Sequence, residues 1–178
     1  MTNKKKNSNI NYSGEVTVKI LHGKKTVKTR KVHNNGTALL FNFLTRCLAS
    51  QYEALFAPRY LRTFNVDNVA ELEDFSNIDF NNDMISDALP FATVDVADNH
   101  VDFQFLIPNN LLKNSTTSIN LLGLYSQDRF VTNSDNVKNP MAFVKLIDDD
   151  EISVASGENI LIVWRLTLSN VENDTQSN

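Results

Sequence analysis

At 178 residues, with 42% apolar side chains, eleven Phe and one Trp, the chain has material for one packed core, which excludes wholesale disorder. Its only cysteine, Cys47, excludes an intrachain disulfide, and no Cys/His set stands at zinc-finger spacing. The net charge of −4 is unevenly spread: residues 1–31 hold nine Lys/Arg against Glu15, leaving eight bases and twenty acids for the rest, so nucleic acid is not an expected partner of the body.

Residues 1–12 are polar and without period, the pattern of a flexible basic arm. Lys4, Lys5 and Lys6 in it are candidate interface residues, placed to lie on the acidic body of a neighbouring subunit; solvated lysines are the plainer alternative. No apolar run follows this basic start, and none elsewhere approaches the length of a bilayer span, so no membrane partner is expected and synthesis in a cytoplasm is.

From Gly14 the register changes. Val16, Val18 and Ile20 alternate with Thr17, Lys19 and Leu21 as in a half-buried strand, His22-Gly23-Lys24-Lys25 supplies a turn, and Thr26 to Val32 returns as the second arm of a hairpin whose lysines guard an edge. Asn34-Asn35-Gly36-Thr37 offers cap residues for a helix over 37–50, where Leu40, Phe43, Leu44, Cys47 and Leu48 form one apolar stripe. That stripe gives Cys47 a packing role rather than a nucleophilic one. Past Pro58 the spacing predicts a strand over Tyr60 to Phe64, then a long loop from Asn65 to Leu89 that reads as an interface loop.

Strands are predicted over Phe91 to Val96 and His100 to Ile107, joined at Ala97-Asp98-Asn99, with Val101, Phe103, Phe105 and Ile107 in strict alternation. Ile119 to Tyr125 is a short apolar strand, and Ser126 to Asn139 a second loop. Met141 to Ile147 and Asn159 to Ser169 read as a closing hairpin around the acidic turn Asp148 to Gly157. On the last strand Ile160, Ile162, Trp164, Leu166 and Leu168 make one face, while Leu161 and Val163 start an apolar opposite face, which a one-core sandwich does not need. A helix or a neighbouring subunit is expected to cover it, which makes Leu161 and Val163 candidate interface residues. The plan is a basic arm over 1–12, a single mainly β domain over 13–170 in the form of an antiparallel β-sandwich with one amphipathic helix, and a disordered tail over 171–178.

Chemistry-bearing constellations are sparse. His22 falls in a turn, His33 at a strand end and His100 at a hairpin, so none shares a helix face or a metal motif. No Gly-rich phosphate loop or nucleophile elbow is present, and no catalytic, cofactor-binding or metal-ligating residue is expected. Asp148-Asp149-Asp150-Glu151 could chelate calcium, but its spacing departs from an EF-hand loop, and a solvated turn is the reading preferred. The aromatic residues and long loops leave sugar stacking as an alternative role.

Three segments taken in order carry a resemblance: the hairpin and helix of residues 14–50, GEVTVKILHGKKTVKTRKVHNNGTALLFNFLTRCLAS; the strand SINLLGLYS; and AFVKLIDDDEISVASGENILIVWRLTLSN. Together they resemble a domain of tailed-phage virion structural proteins. Asn35-Gly36 match its turn before the helix, Ile119-Asn120 with Gly123-Leu124-Tyr125 its central strand, and Gly157-Glu158 through Trp164 its closing signature. The family's middle Gly-Asp-Gly is replaced here by Thr63-Phe64-Asn65-Val66-Asp67. The resemblance implies a non-enzymatic β-sandwich subunit located in the virion, assembling with copies of itself and with portal, neck, tail or fibre proteins. The alternative is a receptor- or glycan-binding module of a fibre or capsid decoration. Rings built head to tail need two complementary patches per subunit, and the basic front and acidic rear supply such a pair in principle.

Overall fold

A computed structural model describes residues 8–48, 58–73, 75, 78–79, 83–114, 117–126, 140–148 and 151–172. Lys4, Lys5 and Lys6, the loop over 127–139 and Asp149-Asp150 lie outside the described residues. The elements in chain order are β1 (Ser8–His22), β2 (Lys25–His33), β3 (Asn35–Gly36), α1 (Ala38–Leu48), β4 (Tyr60–Phe64), β5 (Met84–Pro90), β6 (Thr93–Val96), β7 (His100–Ile107), β8 (Thr117–Ile119), β9 (Leu121–Tyr125), β10 (Ala142–Lys145), β11 (Ile152–Val154) and β12 (Glu158–Glu172).

The fold is mainly β and antiparallel, with a single helix among the described residues. Sheet I has the order β2-β1-β12-β7-β6, sheet II the order β3-β10-β9-β4-β5, and β8 pairs with β11 in a two-stranded ribbon. One apolar core joins them. Val16, Val18, Ile20, Phe105, Ile107, Ile160, Ile162 and Trp164 from sheet I meet Leu61, Leu122, Leu124, Ala142 and Val144 from sheet II, with Ile119 and Ile152 from the ribbon closing one side. Period-two alternation decides which residues take part, because only every second side chain of a strand faces the layer opposite.

The first and last strands pair over their whole length, Ser8 against Glu172 through His22 against Glu158, at the middle of sheet I. β1 thus begins inside the segment expected to be an arm, and β12 runs past residue 170, because each supplies the other's backbone partners. The first hairpin turns at Gly23-Lys24 as expected, with a register shift between Ile20 and Leu21 that leaves Val27 extra on β2.

α1 follows from the Leu40 stripe: Leu40 is fully buried, and Phe43 and Leu44 are half-buried against the main core. Thr37 does not cap it through its hydroxyl, which instead donates to the carbonyls of Pro140 (2.8 Å) and Met141 (2.9 Å) and ties the helix start to the entry of β10.

Two expectations are corrected. Met141–Ile147 and Asn159–Ser169 do not form a hairpin: β10 pairs with β9 and β3 in sheet II, β12 with β1 and β7 in sheet I, and the turn between them holds β11. The segment from Asn65 to Leu89 is not one long loop either, since it contains a 3-10 turn at Val69–Glu71 and all but the last residue of β5. Its described residues Val69, Phe75 and Ile78 are buried against the far side of sheet II.

Candidate functional site

The central strand signature resolves into packing roles. Ile119 is buried in the ribbon. Asn120 clamps the chain at Val66 from both sides, its Oδ1 accepting from the Val66 N–H (2.9 Å) and its Nδ2 donating to the Val66 carbonyl (2.8 Å). Gly123 leaves room for the Tyr125 ring, which folds back over it: a Cβ there would stand 2.6 Å from the ring. The Arg62 guanidinium lies 4.5 Å above that ring on the neighbouring strand, where Arg62 pairs with Gly123. Burial pushes the Tyr125 hydroxyl strongly up from its ordinary pKa, with the Arg62 charge pulling the other way. Arg62 is 1% exposed, and nothing in its spacing within YLRTF marks it as buried. In the closing signature Gly157 takes a left-handed φ of 81° and the Glu158 carboxylate accepts from the Ala155 N–H (2.8 Å), so these two residues build the turn into β12.

The outer face of sheet I is where Leu161 and Val163 stand. Both are half-buried and belong to neither core cluster; Leu161 lies between Lys19 and Leu106, and Val163 between Thr17 and Gln104. Leu106 is 46% exposed. The rest of this face is a polar ladder. Arg165 donates to both oxygens of Asp102 (2.7 and 2.6 Å), Lys31 reaches Glu15 (3.2 Å) and Gln104 reaches Asp95 (2.6 Å). The Arg165 hydrogen bond and charge hold the Asp102 carboxyl below its usual range against the opposing effect of burial.

At the other face, the long strands of sheet I overhang sheet II. A cleft of about 540 Å³ opens there, floored by Phe103, Leu166 and Leu168 of sheet I, walled by Phe43 and Leu44 of α1, and rimmed by Arg59, Phe91, Asp98 and His100. Tyr12 lines it as well, donating its hydroxyl to Asn34 Oδ1 (3.2 Å), and burial raises that hydroxyl's pKa more than the hydrogen bond lowers it. Around the opening Phe91, Val94 and Leu168 are exposed, and Val96 further along β6 is exposed to 79%. The floor is apolar because β7 and β12 keep their inward alternation beyond the point where sheet II stops covering them.

Among the described residues no three His, Cys, Asp or Glu side chains come together as a metal site. His22 and His33 are exposed, and His100 Nδ1 shares a hydrogen bond with Asn99 Oδ1 (3.0 Å) at the hairpin tip. Cys47 is half-buried along α1. No helix among the described residues is long and apolar enough to cross a membrane. Comparison with protein families, curated proteins and solved structures finds no match for this chain.

Proposed function

We propose that the protein is a non-enzymatic architectural subunit that works by assembling with copies of itself, within the virion of a tailed phage at a tail, neck or fibre-attachment position. The virion placement rests on the sequence resemblance. The architectural role rests on one observation above all: the overhang of sheet I leaves Phe91, Val94 and Leu168 in water around an apolar cleft. Apolar side chains clustered in this way mark contact surfaces more often than they mark free ones. Several described polar groups, by contrast, are engaged with one another: Asn120 with Val66, Arg165 with Asp102, and Glu158 with Ala155. Sedimentation velocity of the full chain over a hundredfold range of concentration tests the role. Growth of the sedimenting species with concentration supports it, and a constant monomer refutes it.

The aromatic residues of the same cleft favour a second reading, a receptor- or glycan-binding module. Phe91 is exposed beside Phe103 with ring centroids 6.0 Å apart, next to the polar rim of Asp98 and His100. A glycan array separates the two readings, since a stacking platform retains sugars that an assembly surface ignores.

A further inference from the structure

We infer that sheet I continues from subunit to subunit, the β6 edge of one copy adding to the β2 edge of the next, so that copies join head to tail. This rests on the self-assembly reading above and says which surfaces carry it.

The two edges of sheet I are unlike. β2 carries Lys25, Lys28, Arg30 and Lys31, with Lys24 in the turn before it, and no acid. β6, Thr-Val-Asp-Val, carries Asp95 with Asp98 just beyond it, and no base. A free strand edge is a template for another strand, and charge on it decides which strand is accepted. Joining β2 to β2 sets cations against cations, and joining β6 to β6 sets acids against acids. The unlike join alone matches them.

Three further observations bear on it. All four residues of β6 are exposed, so this edge is uncovered among the described residues. Each edge presents an apolar side chain to water, Val27 on β2 and Val96 on β6. Lys31 of β2 and Asp95 of β6 both stand on the outer face of the sheet, so the join sets them on one side, while Lys28 and Arg30 share the inward side with Val96.

Strand direction fixes the geometry of that join. β2 and β6 are linked through β1, β12 and β7 by antiparallel pairings at every step, so the two edges run the same way. Copies in like orientation therefore meet as a parallel pair, whereas a two-fold dimer through either edge alone is antiparallel. A parallel, heterologous join repeats, giving a ring if its rotation closes.

The test uses two variants of the full chain: Asp95→Lys with Val96→Lys, which makes β6 basic, and Lys28→Glu with Arg30→Glu, which makes β2 acidic. All four positions lie on the sheet edges, and circular dichroism with thermal melting checks that both variants fold. If a doubly substituted chain does not fold, V96K alone replaces the first variant and K28E alone the second. Sedimentation is expected to find wild type assembled, each variant at least about tenfold weaker in self-association because several exposed ion pairs become repulsions, and an equimolar mixture of the two restored, since each then offers the other two matched edges. Wild type that stays monomeric overturns the self-assembly reading and this inference together. Wild type that assembles while both variants also assemble unchanged overturns the edge join alone. Loss in only one variant identifies a two-fold contact through that edge and overturns the head-to-tail join.

Discussion

The outer faces of the two sheets solve the same problem in opposite ways. On sheet II the outward residues Phe64, Leu121 and Tyr125 lie beneath Val69, Phe75 and Ile78, a second small core supplied by the chain between β4 and β5. On sheet I the outward residues form a ladder of hydrogen bonds and ion pairs, with Leu161, Val163 and Leu106 set among them. The difference explains two features of the sequence. β9 reads Leu-Leu-Gly-Leu-Tyr without polar alternation because it is buried on both sides, whereas β12 keeps Arg165, Thr167 and Asn159 among its outward positions because one side meets water.

If the second core carries stability and the ladder does not, substitutions should separate the two faces. Phe75→Ala is expected to cost about 3 kcal/mol, because the ring is buried and meets Phe64 and Phe143 edge to face at 6.4 and 5.4 Å; chemical denaturation measures it. Gly123→Ala should cost about 2 kcal/mol, because the new methyl displaces the Tyr125 ring from its seat under Arg62, and near-ultraviolet circular dichroism should report the ring's movement. Asn120→Ala removes both clamps on Val66 and is expected to cost about 1 to 2 kcal/mol, with faster amide exchange at Val66 as its local signature.

On sheet I the effects are smaller. Asp102 has a folded pKa below its unfolded one, so its pairing with Arg165 stabilises the fold above the unfolded carboxylate pKa of about 3.9 and is lost as pH falls through the folded value. Arg165 is 43% exposed, so solvent screening holds this contribution under about 1 kcal/mol. Asp102→Asn should lower stability at neutral pH by up to that amount and leave it nearly unchanged at acid pH, which flattens the acid limb of the profile; denaturation at neutral and at acid pH measures both ends. Val163→Thr is expected to shift stability by less than about 0.5 kcal/mol. A cost of several kcal/mol there would mean that this face is packed like the other.

Strands with one wet side were legible in the residues: β1, β2, β7 and β12 alternate, and α1 carries its stripe at helical spacing. Partner choice was not. Period two says which residues share a face, but not which sheet the strand joins, and so β10 and β12 read as a hairpin although they lie in different sheets. β11 escaped because three residues, Ile152-Ser153-Val154, follow a run of acids, and β5 because Pro90 ends it and its apolar residues are spaced irregularly. Apolar residues at Leu161 and Val163 predicted a cover over β12 by a helix or a neighbouring subunit; among the described residues the chain itself covers β9, where Val69, Phe75 and Ile78 are too scattered in sequence to show a period. The cleft was invisible for a similar reason, since it arises from one sheet outreaching the other and not from any local pattern.

The pairing of β1 with β12 has a consequence for how the molecule is made. Strand Ser8–His22 is made well before its long-term neighbour Glu158–Glu172, with the other described elements of the fold between them. β7 waits for the same late arrival, so sheet I cannot close from the front. Until then the early hairpin must keep its inward valines from other nascent chains, with its basic outer rim as its main protection. Loop closure over so long a stretch also slows folding, so the final strand acts as a keystone that converts a loose set of hairpins into one cooperative unit.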